Sequence, residues 1–145
     1  MITRLFLIRH GPTHAKSMVG WSDLPADLSD RAALARLSDY LPAEALVVSS
    51  DLSRAADTAS AIQGRRERLP HVQALREIHF GAWELRTWAE VDAEDPERIR
   101  AYWETPGDVT PPGGESWNQV CSRVNTAVDG LIAAHPGRDL IIVGH

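Results

Sequence analysis

Residues 139–145 read Asp139-Leu140-Ile141-Ile142-Val143-Gly144-His145. An unbroken run of four apolar residues, three of them β-branched, has the look of a strand buried on both faces. A glycine and a histidine follow it. Near the other end stands a stretch of the same design, Leu5-Phe6-Leu7-Ile8 followed by Arg9-His10-Gly11. Two apolar strands therefore each deliver a histidine at their C-terminal end. Working outward, Ala45-Leu46-Val47-Val48 reads as another buried strand, ending at Ser49-Ser50, and Val72–Leu75 as a further one leading to Glu77. Between these runs the periodicity is helical. Ser29 opens a helix to about Leu41, with Leu34, Leu37 and Leu41 on one face and Pro42 as its stop. Ala55, Ala59 and Ile62 mark a second helix. Asp95-Pro96 reads as an N-cap followed by an N1 proline, for a short helix over 96–104. Ser116-x-x-Gln119 is a capping-box signal ahead of a helix that runs to about His135, where Pro136-Gly137 ends it. Residues 80–114 otherwise read as irregular and rich in tryptophan and proline. Continuous apolar strands alternating with helices imply an α/β fold: a three-layer α/β/α sandwich around a mostly parallel sheet, in a single domain over 1–145.

Composition bounds the function. The 145 residues are 43% hydrophobic and 24% charged, with a net charge of −5. That balance argues against general nucleic-acid binding. No apolar run approaches the ~18 residues that a membrane span needs. The opening residues have too short an apolar core for a signal peptide, so a cytoplasmic protein is expected. The single cysteine, Cys121, reads as a small core residue, and no disulfide can form within the chain. Spacings that would hold a metal are absent, and no cofactor is expected. Arg65-Arg66-Glu67-Arg68 reads as a solvated helix end.

In an open parallel sheet, sites form beyond the carboxyl ends of the strands. Arg9 and His10, Ser50 and Arg54, Glu77, and His145 all fall at such ends. Arginine presents a planar, permanently charged fork that matches phosphate oxygens. A neutral imidazole between two arginines can attack phosphorus, and a protonated one can stabilise the equatorial oxygens. A carboxylic acid can protonate the leaving alcohol and then activate water.

These residues carry a resemblance to a known family. Leu7-Ile8-Arg9-His10-Gly11-Pro12-Thr13 is similar to the signature of the histidine phosphatase superfamily, also called phosphoglycerate mutase-like. Gly20-Trp21-Ser22-Asp23-Leu24-Pro25, the run Ser50–Ala59, Leu75–Glu84, Gly113-Gly114-Glu115-Ser116 and Val143-Gly144-His145 resemble its further motifs, in the same order and over essentially the whole chain. The resemblance implies metal-independent hydrolysis of a small phosphomonoester through a phosphohistidine. His10 would be the nucleophile. Arg9, Arg54 and His145 would bind the phosphoryl group, and Glu77 would move the proton, with Glu84 as its rival. Thr13, Lys16, Gly20 and Ser116 join Arg9 and Arg54 as expected substrate contacts. Lys16 stands where many members carry asparagine, and it either touches phosphate or points outward. Members usually continue past the second histidine through a helix and one more strand, so such a segment is expected beyond His145. Residues 80–114 would form a lid, whose Trp83, Trp88 and Trp103, with Trp117 beyond, either make a satellite core or face the leaving group. The phosphatase branch, similar to alpha-ribazole phosphatases, is preferred. Phosphoglycerate mutase-type transfer and an inactive phosphate-binding module remain as alternatives, and a homodimer is left open.

Overall fold

A computed structural model describes all 145 residues. It contains three strands, β1 (Leu5–Arg9), β2 (Leu46–Ser49) and β3 (Leu140–Gly144). Its five α-helices are α1 (Arg31–Tyr40), α2 (Ser53–Gln63), α3 (Trp88–Glu94), α4 (Pro96–Glu104) and α5 (Trp117–Ala134). The chain divides into two compact units. The first holds Met1–Thr13, Asp23–Arg76 and Thr126–His145; the second holds His14–Ser22 and Glu77–Asn125.

The first unit is the expected α/β body. Its sheet is wholly parallel in the order β1-β3-β2. The two strands that deliver histidines are neighbours, with Leu5 opposite Leu140 and Arg9 opposite Gly144. Helices α1 and α2 fill one face through Leu41, Ala55, Ala59 and Ile62, packed on Val47, Ile141 and Val143. The alanines of α2 let the helix sit close to the sheet. Leu46, Val48, Leu140 and Ile142 point to the opposite face and are buried too, whereas on β1 that face leaves Leu7 72% exposed. Burial of the apolar side chains of β2 and β3 stabilises this sheet by ~1.5–3 kcal/mol each.

Several expectations need correction. Val72–Leu75 does not make a strand. The segment beside β2 is 67–72, bonded through Val47 N–H to Glu67 O, Leu69 N–H to Val47 O and Val72 N–H to Ser49 O. Pro70 has no N–H to give, and β2 ends at Ser49, so past Val72 the backbone has no partner strand. Gln73–Leu75 instead satisfies itself as a 3-10 turn. The cap of α1 is Asp30, not Ser29: its carboxylate accepts from the Ala33 N–H at 3.1 Å. Arg66 is not solvated. It is 9% exposed and donates to the carbonyls of Ser38, Leu41, Pro42 and Ile62 at 2.7–2.9 Å, closing the C-terminal ends of both α1 and α2.

The second unit has its own core of Ile78, Phe80, Trp83, Val91, Ile99, Tyr102 and Val120. Residues 80–114 are therefore more ordered than their composition suggests. Thr87 caps α3, and Asp95 caps α4 with Pro96 in the first turn, as its sequence predicts. The capping box also forms: Ser116 N–H donates to Gln119 Oε1 at 2.8 Å, and Gln119 N–H donates to Ser116 Oγ at 3.1 Å. Trp83 is buried, while Trp88, Trp103 and Trp117 are about half exposed, so the satellite core takes one of the four tryptophans. No helix is long and apolar enough to cross a membrane.

Candidate active site

Parallel pairing without stagger sets the strand ends flush. His10 N–H donates to Gly144 O at 3.0 Å, and Ser50 N–H donates to Val143 O at 3.3 Å, so all three strands release their chains at one edge. His10 and His145 meet there, with ring centroids 5.0 Å apart and planes tilted by 58°. His145 Nε2 lies 2.7 Å from the buried hydroxyl of Ser50.

The partner of His10 fixes its chemistry. Its Nδ1 lies 2.7 Å from Gly11 O. A carbonyl can only accept, so Nδ1 carries the hydrogen and the neutral ring keeps its lone pair on Nε2. The titration of His10 lies below that of an ordinary histidine. Burial is the main cause, and the positive charges of Arg54 and Arg9 add to it against the opposing pull of the Gly11 carbonyl. A ring held neutral near pH 7, with its lone pair on the outer nitrogen, is a nucleophile in waiting.

Arg54 lies in the first turn of α2 and is 1% exposed. A guanidinium cannot shed its proton, so α2 holds a permanent positive charge at this edge. Thr58, one turn on, ties the parts together. Its Oγ1 donates to Arg54 O at 2.7 Å and accepts from Gly11 N–H at 2.9 Å. Leu52, at the N-cap of α2, has no side chain able to cap, and Asp23 supplies the acceptor from the first loop, 2.7 Å from Ser53 N. The Ser53 N–H and hydroxyl, aided by the charge of Arg54, hold the Asp23 carboxyl below the usual range. Arg9 ends β1 with an exposed side chain.

Glu77 opens the main segment of the second unit, one residue after Arg76, which forms a two-pronged pair with Asp51 at 2.7 Å in the first unit. Its own Oε1 accepts from Ile78 N–H at 2.8 Å. Its carbonyl receives both Trp21 Nε1–H at 2.9 Å and Arg123 Nη2–H at 2.7 Å. The rival acid, Glu84, is committed elsewhere: Oε1 accepts from Gly20 N–H at 2.6 Å and Ser22 N–H at 3.0 Å. Gly20 is thus a fitting residue for the loop. A Cβ there would run into Ile78 O and Glu84 Oε2. Ser116 is 2% exposed, and its hydroxyl accepts from Gln119 N–H in the cap of α5. Thr13 is half-buried, and Lys16 is exposed.

The sequence sets His10, Arg9, Arg54 and His145 at strand or helix ends, and the first unit holds all four. Sequence reading missed Thr58, Asp23 and Arg123. The signal for Thr58 was its spacing of four from Arg54, one helical turn. Asp23 stood inside the quoted loop motif as an acceptor-bearing residue, but nothing in the pattern said which helix it would cap.

The site can be set beside known proteins. Residues 5–145 match the Histidine phosphatase superfamily (branch 1). A bifunctional protein of Mycobacterium tuberculosis is 36% identical over 157 residues, covering 99% of this chain but 41% of that protein. The chain therefore spans about two fifths of that relative's length. The glucosyl-3-phosphoglycerate phosphatase of the same organism is 34% identical over 161 residues, covering 98% of this chain and 70% of the relative. Among solved structures, YhfR of Bacillus stearothermophilus superposes with a TM-score of 0.90 at 34% identity, covering 99% of this chain and 74% of that one. The alpha-ribazole phosphatase of Shigella flexneri gives 0.80 at 28%, covering 98% and 73%. With the match running from the first strand through the second histidine, the chain belongs to the histidine phosphatase superfamily.

Proposed function

We propose that this protein hydrolyses phosphomonoesters of small organic alcohols through a phosphohistidine at His10. The observation that carries the reading is the Nδ1 contact to Gly11 O, which leaves Nε2 with the lone pair beside the buried Arg54 and within one ring contact of His145. In the first step Nε2 bonds to phosphorus as the P–O bond to the alcohol breaks. Glu77 gives its proton to the departing oxygen. In the second step water attacks phosphorus, its proton passes to the Glu77 carboxylate, and the P–N bond breaks to release phosphate. Both His10 and Glu77 return to their starting forms. Arg9, Arg54 and His145 supply the positive charge that the phosphoryl oxygens need, so the chemistry calls for no metal ion. Two of the relatives named above, the glucosyl-3-phosphoglycerate phosphatase and the alpha-ribazole phosphatase, are phosphatases of different compounds, which supports a reading built on phosphoryl recognition.

The test is a chemical trap. Full-length protein and its His10→Ala variant are incubated with a labelled phosphomonoester and quenched in alkali. The expected result is label on the wild type that survives alkali, is lost in acid and is absent from the variant, with phosphate released on longer incubation in the presence of a chelator. Absence of both label and phosphate across several monoesters would defeat the proposal.

A further inference from the structure

The second unit contains a set of contacts that converge on three residues of backbone. Arg123, on α5, forms a two-pronged pair with Glu115: Nε to Oε2 and Nη2 to Oε1, each at 2.8 Å. Both side chains are 19% exposed, so this is not a loose surface pair. The same Nη2 reaches back to Glu77 O at 2.7 Å, where Trp21 Nε1–H also donates. Glu115 Oε1 accepts in addition from His79 N–H at 2.9 Å, and Glu115 N–H donates to His79 O at 2.8 Å. The Trp21 and His79 rings lie 4.4 Å apart. Residues 77–79 are thus gripped on the carbonyl of 77 by the Trp21 and Arg123 side chains, and on both backbone groups of 79 by the side chain and the backbone N–H of Glu115. Desolvation is the largest influence on Glu115 and pushes its carboxyl up. The bonds from Arg123 and His79 N–H outweigh it and leave the group below its usual range, ionised and able to accept all of these donors.

Such a grip costs side-chain freedom and buries a charge pair that by itself adds little stability. What it accomplishes is to fix the backbone of the residue assigned as the acid. Resting on that assignment, we infer that Arg123, oriented by Glu115, is the positioning residue for Glu77, with Trp21 as a second, weaker clamp. The guanidinium is needed for its shape. One nitrogen must serve Glu115 and Glu77 O together while its neighbour holds the other Glu115 oxygen, and an ammonium cannot span that geometry. Pairing with Glu115 also offsets the Arg123 charge, so the clamp holds the Glu77 peptide without adding a bare cation next to a group that must keep a proton.

Leaving groups supply the test. A dinitrophenolate departs without a proton, whereas an alkoxide needs one, so in the phosphorylation of His10 only the second ester depends on a well-placed acid, while hydrolysis of the phosphohistidine is common to both. Full-length wild type, Glu77→Gln, Arg123→Lys, Arg123→Ala and Trp21→Phe are compared on an alkyl phosphate and on 2,4-dinitrophenyl phosphate. Melting temperature is followed to show that each variant is folded. Glu77→Gln is expected to lose ~10²–10⁴ in kcat/KM on the alkyl ester and much less on the aryl ester, because kcat/KM reports phosphorylation of His10 and not the later attack of water. Arg123→Lys is expected to lose at least about tenfold in kcat/KM on the alkyl ester only, and Trp21→Phe to show the same selectivity more weakly. If Glu77→Gln is selective but Arg123→Lys matches wild type, or slows both esters equally, the positioning role is wrong while Glu77 stands. If Glu77→Gln is itself unselective, both assignments fall together.

Discussion

Thr58→Val removes one oxygen from the first unit and leaves a shape close to that of threonine. The hydroxyl it deletes joins Gly11 N–H, at 2.9 Å, to Arg54 O, at 2.7 Å, and Thr58 is 2% exposed. The Arg54 carbonyl keeps its helical bond, so little is lost there. The Gly11 N–H is left with no acceptor in a largely buried place, a cost of ~1–3 kcal/mol. The added methyl returns up to ~0.8 kcal/mol of apolar burial. The net expectation is a loss of about 1–2 kcal/mol. For a chain of 145 residues this corresponds to a melting temperature lower by about 3–7 °C. Activity should fall further than stability alone explains. Gly11 also supplies the carbonyl that fixes the His10 tautomer, and freeing its N–H lets that carbonyl drift from Nδ1. If about 1.4 kcal/mol of His10 placement is lost, kcat/KM drops about tenfold. Thermal denaturation and kcat/KM on one phosphomonoester would be measured for wild type, Thr58→Val and Thr58→Ser. Serine keeps the oxygen and should recover most of both losses. A Thr58→Val protein that melts and turns over like wild type, or a Thr58→Ser protein as damaged as Thr58→Val, would refute the account.

His10 gives a prediction in pH. Its folded titration lies below the ordinary value of about 6.5, chiefly through burial. The folded state therefore binds fewer protons than the unfolded chain just below that value, so His10 takes stability away as pH falls through this window. The nucleophile is lost over the same range, and the acid limb of kcat/KM should lie below 6.5, moving upward in Arg54→Gln as one source of the depression is removed; an acid limb above 6.5 in the wild type would contradict this. Arg66→Ala strips the donors from the carbonyls of Ser38, Leu41, Pro42 and Ile62. It should cost about 2–4 kcal/mol in chemical denaturation while leaving KM unchanged in whatever folded protein remains.

Much of the fold was legible because its strongest signals are short-range. The apolar runs of β1, β2 and β3 are bounded by glycine, proline or serine. The capping box at Ser116 and the Asp95-Pro96 start of α4 are chemical statements made within four residues. The failures were of two kinds. Val72–Leu75 looks like a strand by composition, but whether it pairs depends on where β2 stops, and no local pattern records that. Arg66 looks like a surface charge until α1 and α2 bring their carbonyl ends around it. The site divides in the same way. His10, Arg9, Arg54 and His145 announce themselves at the ends of recognisable elements. Thr58, Asp23, Glu115 and Arg123 act on groups 30 to 47 residues away, and their roles exist only after folding.

The two histidines illustrate how partners divide labour between identical side chains. His10 bonds to a carbonyl, which accepts and never donates, so Nδ1–H is fixed and the lone pair must sit on Nε2. Nearby arginines then make a second proton on that ring unwelcome. His145 presents Nε2 to the hydroxyl of Ser50. A hydroxyl accepts from N–H or donates to a lone pair by a simple rotation, so this contact serves Nε2 in either protonation state, whereas the carbonyl partner of His10 accepts from Nδ1–H in both states and fixes the tautomer alone. A ring that must attack as a neutral species needs the first kind of partner. A ring that must meet a growing negative charge, and hold a proton while doing so, is better served by the second. The sequence difference behind this is small: after the strand, one histidine is followed by a glycine whose carbonyl can turn back to Nδ1, while the other faces Ser50, the first residue past its neighbouring strand. Ser50→Ala, which removes the adaptable partner of His145, should therefore impair the charge-stabilising role proposed for that ring while leaving the tautomer of His10 untouched, which nitrogen-15 shifts of the two rings would report separately.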